Sequence, residues 1–403
     1  MDIMKRSLEM HKQFKGKMEI ISKVPVADSR DLSLAYSPGV AAPCQEIEKM
    51  PMRVYDYTMK GNLVAVVSDG TAVLGLGDIG PEAALPVMEG KALLLKRFAN
   101  VNAVPITLDT KDVDEIVRTV KAIAPTFGAI NLEDIAAPRC FEIEDRLRAE
   151  CKIPVFHDDQ HGTAIVVCAG LENALKLVGK RKEEVKIVIN GAGAAGVANL
   201  RLLRKMGYKN IVVCDSKGII YEGRPDGMNS AKERIAKISN PEKLKGSLDV
   251  ALVGADIFIG VSVANILTKE HIDSMNDDPI IFALANPNPE ITYENAIKWG
   301  VRVIGTGRSD YPNQVNNLLA FPGIFRGTLD VLASDINDEM KIAAVDAIAS
   351  LVSEKELRED YVIPKALDER VAKSVAEAVA KAAIDSGVSK LYSNSVEKQV
   401  GVI

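Results

Sequence analysis

The chain has 403 residues, 47% hydrophobic and 26% charged, with 50 Lys and Arg against 55 Asp and Glu for a net charge of −5. That is enough apolar surface for two cored domains and too much for a disordered chain, and the mixed, slightly acidic balance excludes the basic footprint of a nucleic-acid binder. Five scattered cysteines with no Cys-x-x-Cys pair, a charged start without an apolar core, and no apolar run near the ~20 residues that span a bilayer predict a cytoplasmic protein with no membrane partner.

Up to residue 162 the pattern mixes short strands with amphipathic helices, a first predicted domain. Residues 54–58, 63–68 and 104–108 read as strands, and 82–98 and 138–150 as helices, with Pro138 suited to a first helical turn. Residues 163–178 read as a connecting helix that opens a second domain, 163–330. From Val185 the texture becomes strand and helix in alternation. Val- and Ile-rich runs at 185–190, 210–214, 250–254, 256–260, 279–283 and 301–305 suit strands covered on both faces of a parallel sheet. Helices at 339–353 and 368–386 close the chain in a segment, 331–403, expected to pack back on the first domain. Asp368 is placed to cap the second of them and Gly387 to end it. The fold class is therefore α/β: an N-terminal α/β domain and a doubly wound, Rossmann-type parallel sheet.

The most specific local signal is VKIVINGAGAAGVANLRLL. Gly191, Gly193 and Gly196 stand in G-x-G-x-x-G spacing directly after a strand and at the opening of a helix, with Ala194 and Ala195 between them. Glycine is needed there because a Cβ would block the tight turn and the approach of a pyrophosphate to backbone N–H groups at the helix N-terminus. Asp215 lies 19 residues after Gly196 at the end of the next strand, where a carboxylate can bond the adenosine ribose. Its charge favours NAD over NADP, although Lys217 could offset that repulsion. Gly75, Gly77 and Gly80 repeat the spacing, but Pro81 and Pro86 interrupt the segment beyond them, and the next strand-end acid, Asp109, is 29 residues past Gly80. A tight turn at the edge of a substrate cleft is the better reading.

Two acidic pairs share one setting. Glu133 and Asp134 come after the apolar segment FGAI, and Asp158 and Asp159 after IPVF. Converging at strand ends, such oxygens would suit Mg²⁺ or Mn²⁺; on spacing alone, acidic pairs in loops are also commonly solvated or cap the next helix. His157 and His161 flank the second pair, and neither is expected to be a ligand.

Taken together, AYSPGVAAPC, LGLGDIGPEAALPVMEGKALLLK, NLEDIAAP, FHDDQHGTA, INGAGAAG, FALANPNPE and QVNNLLAFPG resemble, in order and over essentially the whole chain, the short malic enzymes of bacteria and archaea. The resemblance implies a homodimeric, metal-dependent enzyme that oxidises and decarboxylates malate with NAD or NADP. By position, Tyr36 matches the family's general acid, Lys91 its general base, Asp158 a carboxylate supporting that base, and Glu133, Asp134 and Asp159 its metal ligands. Asn286 and Asn317 match residues that hold the substrate and the nicotinamide end of the site. Ala72 departs from the pattern: the larger eukaryotic enzymes carry an arginine there for a substrate carboxylate, so another cation must serve or the carboxylate binds differently. The residue pattern leaves two rivals, a non-decarboxylating 2-hydroxy-acid dehydrogenase and a catalytically silent nucleotide-binding regulator.

Overall fold

The computed structural model describes residues 3–73 and 75–391. Its first sheet is built from β1 (Leu63–Ser68), β2 (Asn102–Thr107), β3 (Ala129–Leu132) and β4 (Val155–His157), all parallel in the order β2-β1-β3-β4. The second contains β5 (Lys186–Asn190), β6 (Asn210–Asp215), β7 (Gly218–Ile219), β8 (Ile257–Gly260), β9 (Ile280–Ala283) and β10 (Val303–Thr306). Its order is β10-β9-β8-β5-β6-β7, parallel except for the antiparallel edge strand β7. The chain thus winds outward in both directions from β5 and β8, the doubly wound arrangement expected from the alternating pattern.

Two predicted strands are helical. Residues 54–58 form the helical turn Val54–Tyr57, and 250–254 fall in the short helix Leu248–Leu252 and the turn after it. β-Branched and aromatic residues mark half-buried surface as much as strand backbone, and a run this short is decided by its surroundings. The connecting helix begins at Asp158, not at Thr163, and runs to Val178, so the division at 162/163 falls inside it. The acidic pair read as a loop is its first turn, where the amide dipoles favour negative charge.

The helices Phe321–Asp330, Asp338–Ser350 and Glu369–Asp385 complete the chain's described part. Asp368 caps the last by accepting from Arg370 N, and Gly387 stands just past its end at φ +78°. This segment does return to the first domain. Arg97 pairs with Glu369 at 2.8 Å, and Lys390 Nζ donates to Lys152 O at 2.8 Å. One apolar core runs from the first sheet (Val66, Ile130, Phe156) through the helix Asp158–Val178 and these terminal helices to one face of the second sheet. The other face of that sheet has its own core, including Val212, Phe258 and Ile281. By contrast, no residue from Ile3 to Met59 is buried.

Candidate active site

β3 and β4 are parallel neighbours with Leu132 opposite His157, so the acidic pairs at their ends emerge side by side. Glu133, Asp134 and Asp159 each offer an oxygen within 4.8 Å of the others, and Asp159 Oδ2 accepts from Asp134 N at 2.7 Å. The helix Pro81–Ala99 places Lys91 on its buried face with Ala84, Met88 and Leu95. Lys91 Nζ lies 2.5 Å from Asp158 Oδ2 and 2.8 Å from Glu133 Oε1, and 4.2 Å from the centre of the Phe321 ring. Asn131 Nδ2 holds the other oxygen of Glu133 at 2.8 Å, and Asn317 bonds the Asp158 carboxylate. Gly162 is required here, since a Cβ would lie 1.8 Å from Asp158 Oδ1.

Burial governs the charges of this cluster. It pushes Glu133 and Asp158 up to about 7 and Asp159 to about 6, against the opposing pull of Lys91. Burial also works to lower Lys91, but Asp158 and Glu133 override it and hold the ammonium well above its ordinary value. Crowded buried carboxylates that one lysine only partly neutralises form a donor set for a hard dication. Three such oxygens fit Mg²⁺ or Mn²⁺.

The glycine turn lies at the crevice where the strand order reverses. Gly191 has φ +121°, and a Cβ on it would meet Val261 O at 2.5 Å. A Cβ on Gly196 would meet Gly191 O at 1.8 Å, whereas one on Gly193 would have nothing within 4 Å. Two glycines therefore serve close packing, and the third leaves open the approach to the N-terminus of helix Ala194–Lys205, where Ala194 and Ala195 form the first turn. Asp215 is not a bare carboxylate. It accepts from Arg224 Nη1 at 2.8 Å, Arg224 Nη2 at 2.5 Å, Lys232 Nζ at 2.6 Å and Lys217 N at 2.9 Å. Burial would raise its pKa, but these bonds bring it to about 2.

Asn286 joins the two halves. It lies just beyond β9, and Gly307 after β10 would place a Cβ 3.3 Å from its Oδ1. On the other side, a Cβ on Gly75 would sit 2.9 Å from Asn286 O, so the second glycine-rich turn is a wall of the cleft between the domains. Beside Ala72, Arg139 contacts Asp69 Oδ2 at 2.9 Å and Thr71 Oγ1 at 3.0 Å.

The structure thus gathers Lys91, Asp158, Asn317 and the three acidic residues, and sets Asn286 at the domain junction. Tyr36 is not among them. It ends the helix Ser29–Ala35 with 69% of its surface exposed, and its hydroxyl has no hydrogen-bond partner among the described residues. His157 is fully buried and held down at about 4 by burial, so it is a neutral packing group. Sequence reasoning passed over Glu144, which accepts from Gln160 Nε2 at 2.9 Å and bonds His161 Nε2 at 2.6 Å. It also missed buried Glu290, which accepts from Ser262 N and Ala285 N beside the nucleotide crevice. Both stand in amphipathic or proline-rich stretches whose pattern carries no signal of a buried carboxylate; only the NPNPE context of Glu290 hinted at one.

A dinucleotide-type glycine turn in one domain, with a buried lysine among oxygen donors that could hold a divalent cation in the other, fits an NAD(P)-linked oxidoreductase. Residues 15–148 match the malic enzyme N-terminal domain and residues 160–384 the malic enzyme NAD binding domain; the chain belongs to the malic enzyme family. It is 65% identical to the bifunctional malic/malolactic enzyme of Bacillus subtilis over 97% of this chain and 95% of that one. Identity to the NAD-dependent malic enzyme of Geobacillus stearothermophilus is 57%, over 93% and 78% of the two chains. The crystal structure of the NAD-dependent malic enzyme of Thermotoga maritima superposes with a TM-score of 0.90 at 51% identity, covering 93% of this chain and 98% of that one.

Proposed function

We propose that this chain oxidatively decarboxylates malate to pyruvate and CO₂ while reducing NAD⁺ or NADP⁺. The observation that carries the reading is Lys91 held between Asp158 and Glu133 at the edge of the carboxylate triad. Glu133, Asp134 and Asp159 would hold Mg²⁺ or Mn²⁺, which supplies Lewis-acid polarisation of the substrate oxygens and charge stabilisation during C3–C4 cleavage. Asp158 and Glu133 hold Lys91 as the ammonium in the metal-free cluster; a dication held by the neighbouring carboxylates would offset their pull and favour the neutral amine, which would then take the proton of the C2 hydroxyl as hydride leaves C2 for the nicotinamide. Asp158, at 2.5 Å, keeps the amine in place and stabilises the ammonium as it forms. Asn286 and Asn317 position substrate and nicotinamide between the domains.

Tyr36 is the proton donor to C3 of the enol, and it comes from a second copy in a homodimer. The support is the surface of the N-terminal segment: Ile20 is 91% exposed, Leu8 74% and Leu34 69%. An apolar surface of this kind marks a protein interface. In this division, residues 1–162 bring the metal and substrate groups, 163–330 the dinucleotide site, and the segment 331–403 contributes, through its described residues up to Leu391, the helices that pack back on the first domain. The free, buried thiols of Cys140, Cys168 and Cys214 suit the reducing cytoplasm.

The deciding experiment is chelation. EDTA is expected to lower malate-dependent NAD(P)H formation at least about 100-fold, with recovery on adding Mn²⁺ or Mg²⁺ and CO₂ released in step. Turnover that survives chelation would instead support a non-decarboxylating 2-hydroxy-acid dehydrogenase.

Cofactor choice turns on Asp215. Its charge would repel a 2′-phosphate if bare, but Arg224 and Lys232 offset it, so both cofactors are accepted. Lys232→Glu is expected to raise KM for NADP⁺ about tenfold or more while NAD⁺ changes within about threefold, the loss of one charge-assisted phosphate contact. Equal changes for the two cofactors in steady-state kinetics would remove Lys232 from this role.

A further inference from the structure

Away from the nucleotide crevice, a cleft of about 500 Å³ opens between the helices Arg139–Glu150, Ala194–Lys205 and Asp338–Ser350 and the first turn of Asp158–Val178. Arg148, Arg201, Arg204, Lys205 and Lys341 line it, with Asp338 as the one lining carboxylate. The cations are unevenly served. Arg148 is tied to Asp335 by two bonds, at 2.7 and 3.1 Å. Lys205 and Lys341 share Asp338, at 3.1 and 3.6 Å. Arg201 makes no side-chain hydrogen bond or ion pair among the described residues. Lys341 is only 5% exposed, yet its one ion pair among the described residues, to Asp338 at 3.6 Å, is longer than a hydrogen bond. Burial lowers its pKa and the neighbouring Arg148 adds to that, while Glu144, Asp338 and Asp335 oppose it from a distance, so a further anion at its ammonium would be favourable.

We propose that this cleft is an effector site for a small phosphorylated anion, its phosphate held by Arg201 and Lys341 with Lys205 and Arg204 at the rim. Guanidinium and ammonium groups lining one cleft from two helices suit a tetrahedral oxyanion, and Ala198, Leu202 and Ile238 provide an apolar wall for the carbon skeleton of an ester. The cleft is connected to the carboxylate cluster through His161, which lines it. Glu144 ties His161 and Gln160 together at 2.6 and 2.9 Å, and these residues belong to the same helical turn as Asp158 and Asp159. An anion that draws Lys341 and the adjoining helices together therefore acts on the element that sets the base and the cation site.

The test uses the full chain saturated with NADP⁺, so that the glycine turn is closed to competing phosphate. Inorganic phosphate and glycerol 3-phosphate are titrated by calorimetry at constant ionic strength, and malate KM is measured with and without each. Saturable binding that weakens at least tenfold in Arg201→Gln and Lys341→Met, with a change of at least twofold in malate KM for the unmodified enzyme only, supports the site. Tighter binding of the ester assigns it to an organic phosphate, and equal binding to phosphate itself. If Lys341→Met does not fold, Arg201→Gln alone decides. Absence of saturable binding, equal binding in the variants, or binding without a change in KM overturns the proposal. The kinetic arm rests on the malate reading above; the calorimetric arm does not, so failure of one is separable from failure of the other.

Discussion

Lys91→Met is expected to lower kcat for malate oxidation at least about 10³-fold, within the range that a positioned general base contributes, while NAD(P)⁺ affinity measured by fluorescence titration stays within about twofold. The two effects separate because Lys91 belongs to the helix Pro81–Ala99 of the first domain, whereas the glycine turn belongs to the second. Loss of cofactor binding would contradict the assignment. The same variant carries a structural cost in the absence of metal. Glu133 and Asp158 lose their shared cation while buried, a situation worth about 3–5 kcal/mol when one partner of a buried pair is removed. Burial has already raised both carboxyls to about 7, above their unfolded values, so the folded state binds protons more tightly than the unfolded one. The cost is therefore largest above neutrality and shrinks as pH falls from about 8 towards 5. Thermal melts of metal-free wild type and variant across that range should converge on the acidic side; divergence there would mean that the carboxylates are not the cause.

Tyr36→Phe is expected to slow pyruvate formation about 100-fold or more while single-turnover hydride transfer to the cofactor is largely kept, since the phenol acts only on the enol. Its more informative use is in mixture. If the phenol serves the partner's cleft, a dimer of one Tyr36→Phe subunit and one Lys91→Met subunit has one site with both groups intact. Equimolar subunit exchange between the two inactive proteins should then restore about a quarter of wild-type activity, as random pairing in a twofold dimer requires. An own-chain phenol would leave both sites of the mixed dimer defective and the mixture as inactive as its parents. The exposed tyrosine and the unburied N-terminal segment favour restoration.

Much of this was legible in the residues. The second sheet announces itself because strands covered on both faces are continuous Val/Ile runs, and its glycine turn because backbone geometry tolerates nothing else there. Even so, VALVG reads as a strand and is a helical turn, and VYDYT likewise. Runs of four or five residues carry no period, so packing decides them. Glu133, Asp134, Asp158 and Asp159 could be paired with a strand end each, but not with one another: their meeting depends on β3 and β4 being neighbours. The engagement of Asp215 by Arg224 and Lys232 was hidden for a similar reason. Partners 9 and 17 residues along the chain share no helical or strand period with it and meet it only because the chain folds back at β7.

The helix from Asp158 to Val178 has a mechanical consequence. Its C-terminal half is pinned by Asn173, whose side-chain amide donates to Ala349 O and Val362 O, and nearly all its residues from Ala164 to Leu175 are buried. A bend there would break both bonds and open the shared interior, so this rod moves as a single lever. Gly179 ends it with φ +67°, and the rod's packing on the helix Ala194–Lys205 ties the dinucleotide half to it. The first turn, with Asp158 and Asp159, is thus the free end of a stiff element, so the acidic side chains are positioned by the interior far from them as well as by their own strand ends.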